Sequence, residues 1–157
     1  MCSFVLSRLG YRNSLLAGPP KYLFRKLHRI QNNAARVISR SSKLDHVSPF
    51  LHSLHWLPAH QRIKYKLSSI CFSSATGIGL QYLADILKIY VPSRQLRSSS
   101  DSRLFEIPSV NTKSTGQCIS EYQGPTVWNE LPHNIRHVPL DSFTIAIKNE
   151  LFRQQDL

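Results

Sequence analysis

Carboxylates are scarce in the first hundred residues: Asp45 and Asp85 are the only two, set against 15 lysines and arginines. Two-metal phosphoryl transfer needs paired carboxylates that hold ions about 4 Å apart, and no such pair is available in this stretch. Tyr82-Leu83-Ala84-Asp85 faintly echoes a polymerase hairpin, but residue 86 is Ile. Cysteine is sparse too. Cys2, Cys71 and Cys118 are far apart and odd in number, which excludes a disulfide framework and implies a reducing compartment. No apolar run reaches the roughly 18 residues of a membrane span. The patch Phe4–Leu6 is broken by Arg8 and Arg12, so a signal-peptide order is not expected. Gly77-x-Gly79 lacks the third glycine of a phosphate-cradling loop, and no GxSxG elbow occurs.

What the chain does hold is positive charge. Lys and Arg number 20 and Asp and Glu 9 in 157 residues, for a net charge of +11. The excess sits in residues 1–100, because residues 101–157 carry 5 basic and 7 acidic side chains. Such an electrostatic footprint fits a polyanion, with RNA or DNA first and an anionic membrane surface second.

Periodicity predicts a mainly α chain. Over residues 21–40, Leu23, Leu27, Ile30, Ala34 and Val37 recur at steps of 4, 3, 4 and 3, opposite Arg25, Arg29, Arg36 and Arg40. Ser48-Pro49 starts a short helix, Phe50 to His55, with Ser48 as its cap. Pro58 opens a helix that runs to about Ala75. Its apolar stripe is Ile63, Leu67, Ile70 and Cys71, and Arg62, Lys64 and Lys66 add charge. Leu80 to Tyr90 reads as a helix with Leu80, Leu83 and Leu87 in the core. Residues 93–103 form a Ser/Arg-rich loop containing Arg94, Arg97 and Arg103. Beyond it a small α+β element is expected. It comprises an edge strand at Leu104–Pro108, a weaker strand or helix start at Cys118–Tyr122, a turn at Gly124-Pro125, and a helix from Ser142 to Gln154 carrying Phe143, Ile147, Leu151 and Phe152. Asp141 or Ser142 caps that last helix.

The side chains expected to touch phosphates are Arg25, Arg29, Arg36, Arg40, Arg62, Lys64, Lys66, Arg94 and Arg97, because guanidinium groups grip phosphate bidentately. Tyr22, Tyr65, Tyr90 and Trp56 lie near them in sequence, and aromatic rings can stack on unpaired bases. Trp56 and Trp128 sit in apolar corners that suit a core. His46, His52, His55 and His60 are close in sequence. Pro49 and Pro58 break that segment and no cysteine lies in it, so a metal site is not expected there. No cofactor is expected.

Several motifs then fall in an order that resembles a known family. Ser7-Arg8-Leu9-x-Tyr11-x-Asn13-Ser14-Leu15-Leu16-Ala17-Gly18 is followed by Leu27-x-Arg29-Ile30-Gln31-Asn32-x-Ala34-Ala35-Arg36. Next come Asp45-His46-Val47-x-Pro49, Ser53-Leu54-His55-Trp56-Leu57-Pro58 and Arg62-Ile63-x-Tyr65-Lys66. Tyr82-Leu83-x-Asp85, Tyr90-x-Pro92-x-Arg94-x-Leu96-Arg97-Ser98, Gly124-Pro125-x-x-Trp128-Asn129-x-Leu131-Pro132 and Ser142-Phe143 complete the set. Across about residues 4–153 the series resembles the region that follows the polymerase palm in LINE-type (non-LTR) retrotransposon reverse transcriptases.

The resemblance implies a helical, thumb-like bundle at residues 1–92, the loop at 93–103 and a C-terminal extension at 104–157. It implies a grip on RNA or DNA through the phosphate backbone, with the palm of a reverse transcriptase as a further partner. It implies no catalysis by this chain, because the catalytic aspartates belong to the palm. The expected setting is intracellular, cytoplasmic or nuclear, without membrane insertion. The alternative expectation is a non-catalytic protein-interaction module derived from a retroelement.

Overall fold

The computed structural model describes residues 21–92, 103–109 and 120–154. These are mainly helical. Seven helices follow in order: α1 (Lys21–Ser39), α2 (Ser48–Ser53), α3 (Ala59–Ala75), α4 (Gln81–Ile86), α5 (Ser120–Asn129), α6 (His133–Arg136) and α7 (Leu140–Arg153). The central element is α3, which packs against α1, α4, α5 and α7.

Proline and left-handed residues punctuate the helices. α3, α6 and α7 each start directly after a proline, Pro58, Pro132 and Pro139, whose ψ lies between 144° and 157°. Proline there fixes φ and delivers an extended chain into the first turn. Ser48 lies inside α2 rather than capping it, and Asp141 and Ser142 lie inside α7; neither helix has a side-chain cap bond. At their C-termini, α1, α2 and α3 share one device. Arg40, His55 and Gly77 take positive φ (53°, 53° and 72°). The next residue's N–H then reaches back five positions, Ser41 to Arg36, Trp56 to Leu51 and Ile78 to Ser73. This is the Schellman pattern, which glycine favours because it has no Cβ.

The α1 stripe differs from the sequence pattern. The inward positions are Phe24, His28, Gln31, Ala35 and Ile38, the same 4-3-4-3 spacing moved by one residue, which turns the helix by about 100°. Ile30 and Val37 are left 54% and 63% exposed. Leu27 and Ala34 of the expected stripe stay half-buried, and the packed face is the one that fits its neighbours. Gln31 is fully buried and its Nε2 donates to the Leu57 carbonyl at 2.8 Å. The small Ala35 sits in a cluster with Val47, Leu51 and Trp56.

The C-terminal α+β element is not present as such among the described residues, where no strand forms. Leu104–Glu106 makes one antiparallel bridge, Phe105 opposite Ile89. Tyr90 N–H donates to the Leu104 carbonyl and Glu106 N–H to the Lys88 carbonyl, both at 2.8 Å. The helix expected over Leu80–Tyr90 therefore stops at Ile86, and Leu80 is exposed rather than in the core. The other edge of the 104–106 segment meets a side chain. Asn129 Nδ2 donates to the Phe105 carbonyl at 2.9 Å, and its Oδ1 accepts the Phe105 N–H at 3.1 Å. One primary amide thus does the work of a second strand.

Gly124-Pro125 is a helix interior rather than a turn, because α5 runs straight through both. Gly124 is where α5 crosses α3: a Cβ built there would lie 3.3 Å from Cys71 Sγ. Trp128, in the next turn, is fully buried and donates its indole N–H to the Arg103 carbonyl at 2.6 Å. Around it gather Leu57, Cys71, Phe72, Leu87, Phe105, Phe143, Ile147 and Leu151, so one core joins both sides of the 93–103 segment.

Candidate nucleic-acid interface

On α1, Arg25 and Arg29 are exposed, about 120–160° round the helix from buried Gln31, and exposed Arg40 follows directly after the helix end. From Arg25 to Arg29 the face rises about 6 Å at 1.5 Å per residue. Lys26 Nζ lies 5.7 Å from the ring centre of Tyr22, itself 57% exposed on the same side. The face thus offers cations and an open aromatic ring. Neither α1 nor α3 contains an Asp or Glu. Asp45, in the connector after α1, accepts the Ser42 N–H at 2.8 Å and so folds its own turn.

The remaining basic positions divide by environment. Arg36 is half-buried and its Nη2 reaches the Asp45 carbonyl at 3.4 Å, so it holds the connector as well as facing outward. Lys64 pairs with Glu130 at 3.6 Å. Lys66 is half-buried. Arg62 is half-buried on α3, where burial lowers its pKa. Arg103 donates to the Arg136 carbonyl at 2.9 Å and anchors the C-terminal lobe. Arg94 and Arg97 lie outside the described residues. The structure therefore brings Arg25 and Arg29 onto one open face with Lys26 and Tyr22, leaves Arg40 exposed just past the end of α1, and sets Arg62, Lys64 and Lys66 apart on α3.

Several of the described residues that carry the family resemblance are structural. Gln31, Ala35, Trp56, Leu57, Pro58, Gly124, Pro125, Trp128 and Leu131 are all buried. The four histidines at 46–60 do not converge. His52 meets Phe152 at a tilt with ring centres 5.1 Å apart, and His60 meets His28. Among the described residues no three His, Cys, Asp or Glu side chains are placed to hold a metal ion. No protein family, curated protein or solved structure matches the chain.

The His28–His60 contact joins α1 to α3 beside the basic face, with Nε2 and Nδ1 3.3 Å apart. One ring must donate and the other accept, so at least one is neutral. Burial lowers both pKa values from the usual 6.5, and for His60 the charges of His28 and Lys64 lower it further. The folded state then binds fewer protons than the unfolded chain just below pH 6.5, so stability rises with pH there and is lost as pH falls. The melting temperature should drop between pH 7.5 and 5.5, and the drop should shrink in the His28→Gln/His60→Gln variant. An equal drop in parent and variant would assign the effect elsewhere.

Proposed function

We propose that this chain is a non-catalytic nucleic-acid-gripping module of the kind found after the palm of LINE-type reverse transcriptases, and that the outer face of α1 holds the phosphate backbone. The observation that carries the reading is the arrangement of α1: Arg25, Lys26 and Arg29 exposed on the side of an open tyrosine, exposed Arg40 just past the helix end, and no carboxylate on the helix. Cations without a carboxylate partner release counterions from a polyanion instead of neutralising an acid of the protein itself. Asp85 supports the absence of polymerase chemistry. It is an exposed residue of α4, hydrogen-bonded by Gln81 of the same helix at 3.4 Å, with no second carboxylate on that helix.

Salt dependence of binding is the test. Replacing Arg25, Lys26, Arg29 and Arg40 together by Gln should weaken binding to any duplex sequence about equally. The slope of log affinity against log salt should fall by about 3 to 4, near 0.9 per lost contact. Fluorescence anisotropy against salt reads this directly, and Gln keeps good helix propensity. An unchanged slope would remove α1 from the interface.

A protein-binding reading has its own observation. Ile78, Leu80, Tyr82, Ile86, Ile89, Tyr90 and Val91 are all exposed around α4. Apolar surface of that extent marks contact sites. Association through it would persist at high salt, where phosphate contacts fail.

A further inference from the structure

Away from the α1 face, a cavity of about 240 Å³ opens between the end of α2, the start of α3 and the middle of α7. His55, Trp56, Leu57, Arg62, Tyr65 and Lys148 line it. No carboxylate is among them. Among the described residues neither Arg62 nor Lys148 forms an ion pair. Two cations facing one cavity repel each other, and a half-buried guanidinium has lost part of its hydration without a protein partner in return. An anion in the cavity would cancel both costs. The remaining lining suits a small oxyanion: His55 and Tyr65 offer an imidazole and a hydroxyl, and Trp56 and Leu57 form an apolar wall. His55 is also held at a φ of 53°, a costly backbone state that the Schellman turn imposes on this lining residue.

We propose that this cavity binds a phosphate dianion, supplied either as free inorganic phosphate or as the terminal monoester of a nucleic-acid strand. The guanidinium fork of Arg62 takes two oxygens and the Lys148 ammonium supplies a point charge. A carboxylate satisfies the fork but carries half the charge, so the pair of cations selects phosphate. The site is independent of the α1 face: it uses α7, from the part of the chain where acids outnumber bases.

Nuclear magnetic resonance titration with inorganic phosphate tests it on the whole chain, with acetate as the carboxylate control. Phosphate should shift the Trp56 indole and His55 ring signals saturably, and acetate should not. Arg62→Gln with Lys148→Met should abolish the shifts, Met retaining the length of the lysine stem. Lys148→Met alone, a change at a half-buried helix position, should weaken phosphate binding about tenfold while the far-ultraviolet dichroism stays unchanged. Equal shifts with acetate, or no shift at millimolar phosphate, would overturn the proposal. To distinguish the sources, a short RNA with a 5′-phosphate is compared with its 5′-hydroxyl form. Tighter binding of the phosphorylated strand, lost in the Arg62/Lys148 variant but kept when α1 is neutralised, identifies a strand end. Equal binding of the two strands, with phosphate still bound, identifies free phosphate. Loss of α1 binding alone would sink the α1 reading and leave this site standing.

Discussion

Replacing Trp128 with alanine should abolish cooperative folding at room temperature. The indole is fully buried at the meeting point of α3, α5, α7 and the 103–106 segment. Its ring centre lies 6.3, 6.0 and 6.0 Å from those of Phe72, Phe105 and Phe143. Phe72 and Phe143 themselves stack at 3.9 Å. Truncating a buried Trp to Ala costs about 3–5 kcal/mol through lost burial and the cavity left behind. The Arg103 carbonyl also loses its donor, for about 1–3 kcal/mol more. Small domains have only about 5–15 kcal/mol of stability in total. This core is the only large one among the described residues, so the loss takes most of what there is. Trp128→Phe should cost visibly less, because it keeps an aromatic ring and drops the indole N–H. Urea unfolding followed by circular dichroism separates the three proteins. A Trp128→Ala chain that melted as sharply as the parent would place the folding core elsewhere.

The sequence made Trp128 easy to find and its neighbours hard. A tryptophan between Pro125 and Pro132 in an apolar stretch reads as a core corner, and the α7 positions Phe143, Ile147, Leu151 and Phe152 follow helical spacing and are all buried. These succeed because a single apolar stripe has one way to face inward. On α1 two stripes one residue apart compete. Counting apolar side chains favours Leu23–Val37, whereas the fold buries Gln31 and Ala35. What decides is a long-range hydrogen bond to Leu57 and the close approach a small residue permits, and neither is a local property. The same holds for the C-terminal lobe. Leu104–Glu106 has strand alternation, but its partners are a short segment at 88–90 and one asparagine side chain, so no ladder grows. For the candidate sites, charge counting found the outer face of α1. It could not find Lys148, whose part of the chain is slightly acidic and whose position beside Arg62 depends on how α7 crosses α3.

Gly124 is a site where adding atoms, rather than removing them, should do the harm. Glycine inside a helix normally costs about 1 kcal/mol relative to alanine, and proline directly after it removes a helix hydrogen bond as well. The Gly124-Pro125 pair is tolerable because α5 must pass close to α3. A Cβ at 124 would meet Cys71 Sγ at 3.3 Å and Leu87 Cδ2 at 3.6 Å. Gly124→Ala should therefore be nearly neutral, the propensity gain offsetting a tight contact. Gly124→Val adds two methyls where there is room for none and should cost about 3 kcal/mol, the upper end of ordinary overpacking. Cys71→Ala removes the atom in the way. In that background Gly124→Ala should stabilise by about 1 kcal/mol, so the two changes couple through one contact. The thiol gives a second readout. Burial pushes the Cys71 pKa up to about 12, so in the native protein it is neither exposed nor ionised at neutral pH. With Cys2 and Cys118 changed to Ser, a thiol reagent should leave the parent unlabelled for as long as it stays folded. Gly124→Val, by wedging α5 from α3, should speed labelling of Cys71 by about a hundredfold, the factor that 3 kcal/mol gives when labelling follows the opened population. Equal labelling rates in the two proteins would mean that α5 does not rest on Cys71.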